Sequence, residues 1–257
     1  MGELGNQLFQ IAATIGYSRK NGFEAKFPCW NCKISGSNYG EIFKGPIDQS
    51  LKDTDYDGPV QTFSYQDLKF VNIPKVDTHL DLAGYFQSEN YFKHCEEEIK
   101  DLFKPSLTVQ EILLSKYPEI MADNDFVAVH VRTGKRSQND YDVHSYCTSD
   151  FLNKAFELYD TSRTFVIFSD RMEIAKEILP PGRNYIFIEG EKNYIDLFLL
   201  NNFKDYILSP STFGWWGAWL SKYSNPKVTM MANWFDPNKA KSSLNDNDIM
   251  PERWSKI

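Results

Sequence analysis

Short apolar runs alternate with amphipathic segments through the second half of the chain, and this alternation constrains the fold more than any other feature. Each apolar run is rich in β-branched and aromatic residues and ends in polar ones, as a buried parallel strand does. The predicted strands cover residues 126–132, 163–170, 185–188, 206–209 and 228–231, and the predicted helices cover 149–158, 172–179, 194–202 and the segment after Ser211. This order predicts an α/β fold whose C-terminal domain, residues 123–257, is a doubly wound parallel sheet.

The first half of the chain is less periodic. A glycine-containing loop over residues 1–7 precedes a helix over 8–18, although no strand precedes the loop as one usually does. Residues 21–80 are predicted to form short strands and loops. A strand over 80–87 and helices over 88–103 and 108–116 follow. We expect an N-terminal domain over residues 1–122 that lacks its first strand.

The composition excludes several classes of protein. A net charge of −7 argues against nucleic-acid or membrane-surface binding, since both need a basic face. No run of about 18 apolar residues predicts a transmembrane segment, and no signal peptide follows Met1. Cys29 and Cys32 form a Cys-x-x-Cys without a second pair. His94 and Cys95 could complete a metal site, but reduced thiols without a metal are the expected state.

Polar side chains lie at the carboxyl ends of three of the predicted strands. In an open parallel α/β sheet, ligands bind outside the carboxyl ends of the strands. Arg132 ends a buried strand, where an arginine is costly unless an anion pairs with it. It therefore predicts an anionic ligand such as a nucleotide diphosphate. Asp170 either contacts the base or ribose or caps the following helix. His130 is either an acid–base residue or a structural buried histidine.

Three of the six tryptophans fall within residues 215–219, directly after Ser211 and Thr212. The Ser-Thr pair has the pattern of a helix N-cap, and helix N-termini attract anions. One interpretation is therefore a phosphate site formed by Ser211, Thr212 and Phe213, with the tryptophans as a buried scaffold. The alternative is an N-cap followed by a core helix that binds no ligand.

Several common α/β enzymes are excluded because their motifs are absent. The chain has no Gly-x-x-x-x-Gly-Lys-Ser/Thr of P-loop NTPases and no Gly-x-Gly-x-x-Gly after a strand, as dinucleotide-binding enzymes have. The His-Glu-x-x-His of zinc proteases and the Gly-x-Ser-x-Gly of α/β-hydrolases are also absent.

Six stretches, in order, resemble the motifs of the family 11 glycosyltransferases, the α-1,2-fucosyltransferases. Residues 2–10 (GELGNQLFQ) resemble the family's N-terminal segment, and residues 84–92 (GYFQSENYF) resemble its middle motif. Residues 130–134 (HVRTG) resemble its His-x-Arg-x-Gly-Asp element. Residues 168–170 (FSD) and 211–220 (STFGWWGAWL) follow, and 233–235 (NWF) resemble the closing motif.

The resemblance implies a GT-B-like fold, in which two Rossmann-like domains face a cleft. It implies transfer of L-fucose from GDP-β-L-fucose to the 2-hydroxyl of a galactose in a glycan acceptor, with inversion. No metal and no other cofactor is implied. The expected partners are the donor and the glycan, not nucleic acid.

The resemblance also assigns roles to individual residues. Arg132, His130 and Asn6 would be catalytic, with Arg132 stabilising the departing GDP. The donor would be bound by Arg132, Gly134, Lys135, Asp170, Ser211, Thr212 and Phe213. The acceptor side of the cleft would be lined by Asn6, Gln7, Tyr85 and Gln87.

Two positions depart from the family pattern. Lys135 stands where the family has Asp, and Arg171 follows Asp170 where the family often has a second acidic residue. No general base can be assigned. Alternatives are a transferase for another GDP-sugar or linkage and a non-catalytic glycan- or nucleotide-binding relative. We expect a cytoplasmic bacterial or viral enzyme, although a Golgi enzyme cut free of its anchor would look the same.

Overall fold

The protein is represented by a computed structural model, which describes residues 2–27, 39, 42–45, 58–122, 125–134, 143–239 and 246–257. The chain divides into two compact units, Met1–Gln110 with Asn245–Pro251, and Glu111–Leu244 with Glu252–Ile257. Residues 111–122, which the sequence placed in the first domain, therefore group with the second unit. The acceptor-side and donor-side roles of the two domains stay predictions.

The first unit contains a long helix and a small parallel sheet. Helix α1 (Leu4–Asn21) ends at Gly22, whose left-handed φ of 77° closes the C-cap. Strand β1 (Val60–Tyr65) pairs in parallel with β2 (His79–Gly84). In the same unit, the backbone N–H of Phe70 donates to Asp248 Oδ2 at 2.9 Å, which joins the segment 245–251 to the rest.

Two details of the first unit correct the sequence prediction. Helix α1 begins at Leu4, so Gly5, Asn6 and Gln7 form its first turn and not a preceding loop. The helix predicted over residues 88–103 is wrong in its first half, where two 3-10 turns (Glu89–Tyr91 and Lys93–Cys95) precede helix α2 (Glu96–Leu102). The turns are separated by Phe92, whose non-helical φ of −141° accompanies complete burial of its ring against Phe9.

The second unit confirms the predicted doubly wound sheet. After helices α3 (Leu107–Lys116) and α4 (Pro118–Met121), strands and helices alternate along the chain. They are β3 (Val127–Val131), α5 (Ser149–Phe156), β4 (Thr164–Ser169), α6 (Met172–Ile178), β5 (Asn184–Phe187), α7 (Asn193–Leu200), β6 (Asp205–Leu208), α8 (Thr212–Trp219), β7 (Lys227–Met230) and β8 (Ser255–Lys256). All paired strands are parallel, in the order β5-β4-β3-β6-β7-β8.

This strand order places a topological switch point between β3 and β6. The chain winds from β3 outward to β5, then returns to the other side of β3 and winds outward again. The carboxyl ends of β3 and β6 therefore lie beside each other, with their following loops diverging, and that is the position at which doubly wound sheets bind ligands. Strand β3 is buried along its whole length, so the position of this edge is fixed by the core.

Gly16 permits a close approach within the first unit. A Cβ at this position would overlap the carbonyl oxygen of Tyr91 and lie 2.9 Å from the Cα of Phe92. The obstruction is backbone, which cannot turn aside as a side chain can. Glycine is therefore required here for packing and not for an unusual φ.

We expect Gly16→Ala to destabilise the protein by about 1–3 kcal/mol, because helix α1 must move away from the 3-10 turns. Urea unfolding measures the difference in free energy. The control is Lys20→Ala, at an exposed position of the same helix, which should change stability by less than about 0.5 kcal/mol. Equal stability of Gly16→Ala and wild type would contradict the packing described here.

Candidate functional site

The carboxyl ends of β3 and β6 are joined by Ser209. Its Oγ donates to the His130 carbonyl at 2.9 Å and accepts from the Arg132 N–H at 2.7 Å. The Ser209 N–H also donates to the His130 carbonyl at 3.1 Å. Ser209 is completely buried, so these bonds extend the sheet pairing by one residue and fix where the loop after β3 begins.

Arg132 and Asp170 form an ion pair at this edge. Arg132 Nη1 lies 3.1 Å from Asp170 Oδ2, and both side chains are about one-fifth exposed. The other oxygen, Asp170 Oδ1, accepts from the Thr133 N–H at 2.9 Å and from the Thr133 hydroxyl at 3.3 Å. The sequence predicted that an anion pairs with Arg132. In this state that anion is the carboxylate of Asp170. Helix α6 receives no cap from Asp170, because its N-cap residue is Arg171.

Ser211 caps helix α8. Its extended backbone (φ −160°, ψ 128°) and its Oγ, which accepts from the Phe213 N–H at 3.3 Å, confirm the predicted N-cap. Helix α8 follows β6 across a short link, so its N-terminus lies at the carboxyl edge of the sheet with the hydroxyls of Ser211 and Thr212. Whether these hydroxyls hold a phosphate stays a prediction.

The ring of His130 packs against the start of α8. Its centroid lies 5.7 Å from that of Phe213, and a Cβ on Gly214 would lie 2.9 Å from His130 Cγ and Nδ1. Burial, together with the Arg132 guanidinium, lowers the pKa of His130 to about 4, so the imidazole is neutral at pH 7. Nδ1 is buried and has no hydrogen-bond partner among the described residues.

The tryptophans of α8 form the scaffold that the sequence predicted. Trp215, Trp216 and Trp219 are at most 2% exposed. Trp215 and Trp219 stack at 5.9 Å between ring centroids, and Trp216 meets both edge-on. These rings cannot contact a ligand in this state, because they are inside the core.

In the first unit, the structure brings together two of the predicted acceptor-side residues. Gln87 Nε2 donates to Asn6 Oδ1 at 2.8 Å, although 81 positions separate them, and both are buried. Gln7 Nε2 donates to the Gly2 carbonyl at 2.9 Å, while Tyr85 is partly exposed. The next residue, Phe86, has a φ of 50°, an uncommon conformation for a large side chain that sets the direction of the backbone before Gln87.

Lys135 lies outside the described residues, as do Cys29 and Cys32, so their predicted roles stay predictions. Gly134 is described and lies beneath the side chain of Arg171.

No group of three or more His, Cys, Asp or Glu residues that could hold a metal occurs in the part of the chain that the structure describes. The sequence contains Asp-x-Asp spacings, typical of metal-dependent sugar transferases, at 53–55, 55–57, 123–125, 140–142 and 246–248. Only the last is described.

A buried carboxylate that the sequence analysis did not select lies after β5. Asp196, in the first turn of α7, has an Oδ1 atom without a hydrogen-bond partner among the described residues. Burial and then the charge of Glu191 raise the pKa of Asp196 to about 7. Glu191 itself accepts from the Lys116 ammonium and from the Tyr117 hydroxyl. An acidic residue inside the apolar run YIDLFLL was the signal available in the sequence.

The raised pKa of Asp196 predicts a dependence of stability on pH. Between about pH 4 and pH 7, Asp196 is protonated in the folded protein and ionised in the unfolded chain, where an Asp has a pKa of about 3.9. The free energy of unfolding is therefore greatest below about pH 4 and falls as the pH rises through about 7. We expect Asp196→Asn to abolish this loss and to be on the order of 2 kcal/mol more stable than wild type at pH 8. Urea unfolding at pH 5 and pH 8 measures it. A wild-type stability that does not fall more than that of Asp196→Asn between these pH values would contradict the prediction.

Comparison with known proteins gives the family context. A family model described as "Glycosyl transferase family 11" matches residues 1–257. An alpha-1,2-colitosyltransferase of Escherichia coli is 29% identical over 69% of this chain and 62% of its own length. The O-antigen biosynthesis glycosyltransferase WbnK of Escherichia coli is 27% identical over 63% of this chain and 57% of its own. The matches thus span less than two thirds of these two relatives. Mouse galactoside 2-alpha-L-fucosyltransferase Sec1 is 25% identical over 92% of this chain and 66% of its own.

Solved structures with a similar fold include a fucosyltransferase. The fucosyltransferase NodZ from Bradyrhizobium is 14% identical and has a TM-score of 0.56, with 84% of this chain and 88% of NodZ covered. A mutant of Arabidopsis thaliana FUT1 in complex with GDP is 11% identical and has a TM-score of 0.57, with 91% and 69% covered. At these identities the likeness concerns the fold, and it confirms the expected GT-B-like α/β class. No helix in the described ranges is both long and apolar enough to cross a bilayer.

Proposed function

The chain belongs to glycosyl transferase family 11, and from that premise we propose that it transfers L-fucose from GDP-β-L-fucose to a galactose 2-hydroxyl with inversion. The acceptor is a galactose-containing glycan, and the product linkage is α-1,2. Several relatives with a galactoside in their names, among them mouse Sec1, support this acceptor. No metal takes part in the proposed reaction.

One observation carries the proposal: the Arg132–Asp170 pair lies at the switch point of the parallel sheet. A guanidinium there can exchange its carboxylate partner for a phosphate group, whose oxygens can accept two parallel N–H bonds from it. Ser209 fixes the backbone of Arg132, and the Ser211 cap fixes the start of α8 on the neighbouring strand. Together they provide a cation and a helix N-terminus for a nucleoside diphosphate.

The proposed mechanism assigns charge stabilisation to Arg132. As the bond from the sugar carbon to the donor phosphate breaks, negative charge grows on the diphosphate and positive charge on the sugar ring. A guanidinium already fixed in place stabilises the diphosphate without reorganising, which is where such sites gain most of their effect. The acceptor 2-hydroxyl attacks from the opposite face, and this attack inverts the configuration.

We propose that no strong general base is needed, because the fucosyl transition state resembles an oxocarbenium ion and the acceptor loses its proton late. His130 is neutral at pH 7, but its ring is buried against Phe213 and Gly214, which does not favour a role as the base. Asp170→Asn, which removes the carboxylate of the described site, tests the idea. A variant that loses transfer completely while binding GDP-fucose normally would identify a base and refute it.

A second candidate function differs in the sugar that the donor carries. One relative is named an alpha-1,2-colitosyltransferase, so a donor other than GDP-fucose is a specific alternative on the same scaffold. A non-catalytic nucleotide- or glycan-binding protein is the third candidate. It predicts binding of GDP without turnover.

The experiment is a donor panel followed by product analysis. Purified protein is incubated with GDP-fucose, GDP-mannose and UDP-sugars, with and without galactosides, and release of the nucleotide is measured. We expect turnover with GDP-fucose that EDTA leaves unchanged, and a product in which linkage analysis finds fucose on the galactose 2-hydroxyl. Turnover only with another donor, or none at all, would favour the second or third candidate. The cytoplasmic location stays a prediction, which cell fractionation would test.

A further inference from the structure

A second arginine lies at the same edge as Arg132 and takes no part in the function as proposed so far. Arg171 is exposed, and its Nη2 donates to the Thr133 carbonyl at 3.2 Å. Its backbone N–H donates to Ser169 Oγ at 3.1 Å, and Ser169 Oγ donates to the Val131 carbonyl at 2.8 Å. Both ends of Arg171 are thus attached to the segment that carries Arg132.

Gly134 provides the space in which the Arg171 guanidinium lies. A Cβ on Gly134 would overlap Arg171 Nη2 and lie 2.5 Å from its Cζ and Nε. All three atoms belong to the guanidinium, so the group lies against the bare backbone of Gly134. Any side chain at position 134 would displace it. The arginine therefore has a defined position, despite its exposure.

Among the residues that the structure describes, the charges at this edge do not balance. Asp170 has one oxygen occupied by Arg132 and the other by Thr133. Arg171 forms no ion pair with any carboxylate in the part of the chain that the structure describes. The described residues therefore place two guanidinium groups and one carboxylate at this edge, in a protein whose net charge is −7. A local excess of positive charge against the net charge is the arrangement expected where an anion binds.

We propose that Arg171 is a second diphosphate-binding cation, which is held in place by Gly134 and contacts the donor together with Arg132. The inference rests on the proposed function, because it assigns Arg171 to the diphosphate of the same donor. A diphosphate carries charge on two phosphates, so it can engage two guanidinium groups where a single carboxylate cannot. Arg171 then contributes chiefly to donor affinity, while Arg132 stabilises the leaving group.

The test is a double-mutant cycle on GDP binding, measured by calorimetry for wild type, Arg171→Ala, Gly134→Ala and the double variant. We expect each single variant to bind GDP roughly 5- to 10-fold more weakly at low salt, since exposed charge pairs are modest and screened. The double variant should be no weaker than either, because both changes remove the same contact. Gly134→Ala should fold, since the atoms it displaces end a flexible side chain.

Controls separate the inference from the proposed function. Lys176→Ala removes one positive charge from α6, where Lys176 pairs with Glu189, and should leave GDP affinity unchanged. Guanosine, which lacks phosphate, should bind all variants equally. GDP binding that is equal in wild type and Arg171→Ala, or fully additive losses in the cycle, would overturn the inference alone. A wild-type protein that binds neither GDP nor inorganic pyrophosphate would overturn the proposed function as well.

Discussion

Arg132→Ala is expected to lower kcat for transfer from GDP-fucose by about 100- to 1,000-fold, the usual effect of removing one preorganised group that stabilises developing charge. The loss should appear in kcat more than in KM, because the charge on the leaving diphosphate grows in the transition state. Arg132→Lys should recover only part of the rate, since an ammonium cannot replace a bidentate guanidinium. Steady-state kinetics with a galactoside acceptor measures both variants.

The matched control for Arg132 is Arg163. Arg163 Nη2 pairs with Asp205 Oδ2 at 2.7 Å in the same sheet, but at the amino ends of β4 and β6. Arg163→Ala therefore removes a similar ion pair from the opposite edge and should leave kcat unchanged. A kcat for Arg132→Ala within threefold of wild type, with folding intact by circular dichroism, would remove Arg132 from the mechanism.

Trp215→Ala is expected to have the largest effect on stability, with a loss of about 3–5 kcal/mol. The indole is completely buried and lies between three others, with ring centroids 5.0 Å from Trp216, 5.9 Å from Trp219 and 5.4 Å from Trp254. Alanine would leave a cavity that rings packed from several sides cannot fill. Because α8 also carries the Ser211 cap at its start, weaker packing should reduce GDP binding too.

Urea unfolding measures the change, and Trp215→Phe is the comparison because it keeps an aromatic ring in the same space. The phenylalanine variant should lose clearly less stability than the alanine variant. If both variants unfold at the wild-type urea concentration, the tryptophan cluster is not the scaffold that holds the start of α8.

The central strands could be predicted from the sequence because burial on both faces leaves an unmistakable apolar run. Strand β3 lies within one residue of its predicted bounds at each end, and every residue in it is buried. Strand β8 could not be predicted, because it consists of Ser255 and Lys256, which are both exposed. It forms only because it can pair with the edge of β7. Its pairing is decided by tertiary context and not by its own side chains.

The site was predictable to the extent that it follows from strand ends. Arg132, Asp170 and Ser211 lie at one edge because parallel strands end together, which the alternation of elements already implied. The contact between Asn6 and Gln87 depends on how α1 packs beside the segment after β2, and no local pattern encodes that. Likewise, nothing in the sequence distinguishes Gly134 from other glycines. Its role follows only from the structure, in which the Arg171 guanidinium lies where a side chain at position 134 would be.

The division of the chain into units has a consequence for its synthesis. The backbone passes from one unit to the other after residues 110, 244 and 251, so each unit includes a piece of the C-terminal segment. Asp248 cannot accept its bond from Phe70, nor β8 complete the sheet beside β7, until that segment has left the ribosome. Neither unit can therefore complete its packing until residues 245–257 have emerged. Pulse-chase proteolysis of stalled nascent chains should find neither unit fully protected before residue 257 has emerged.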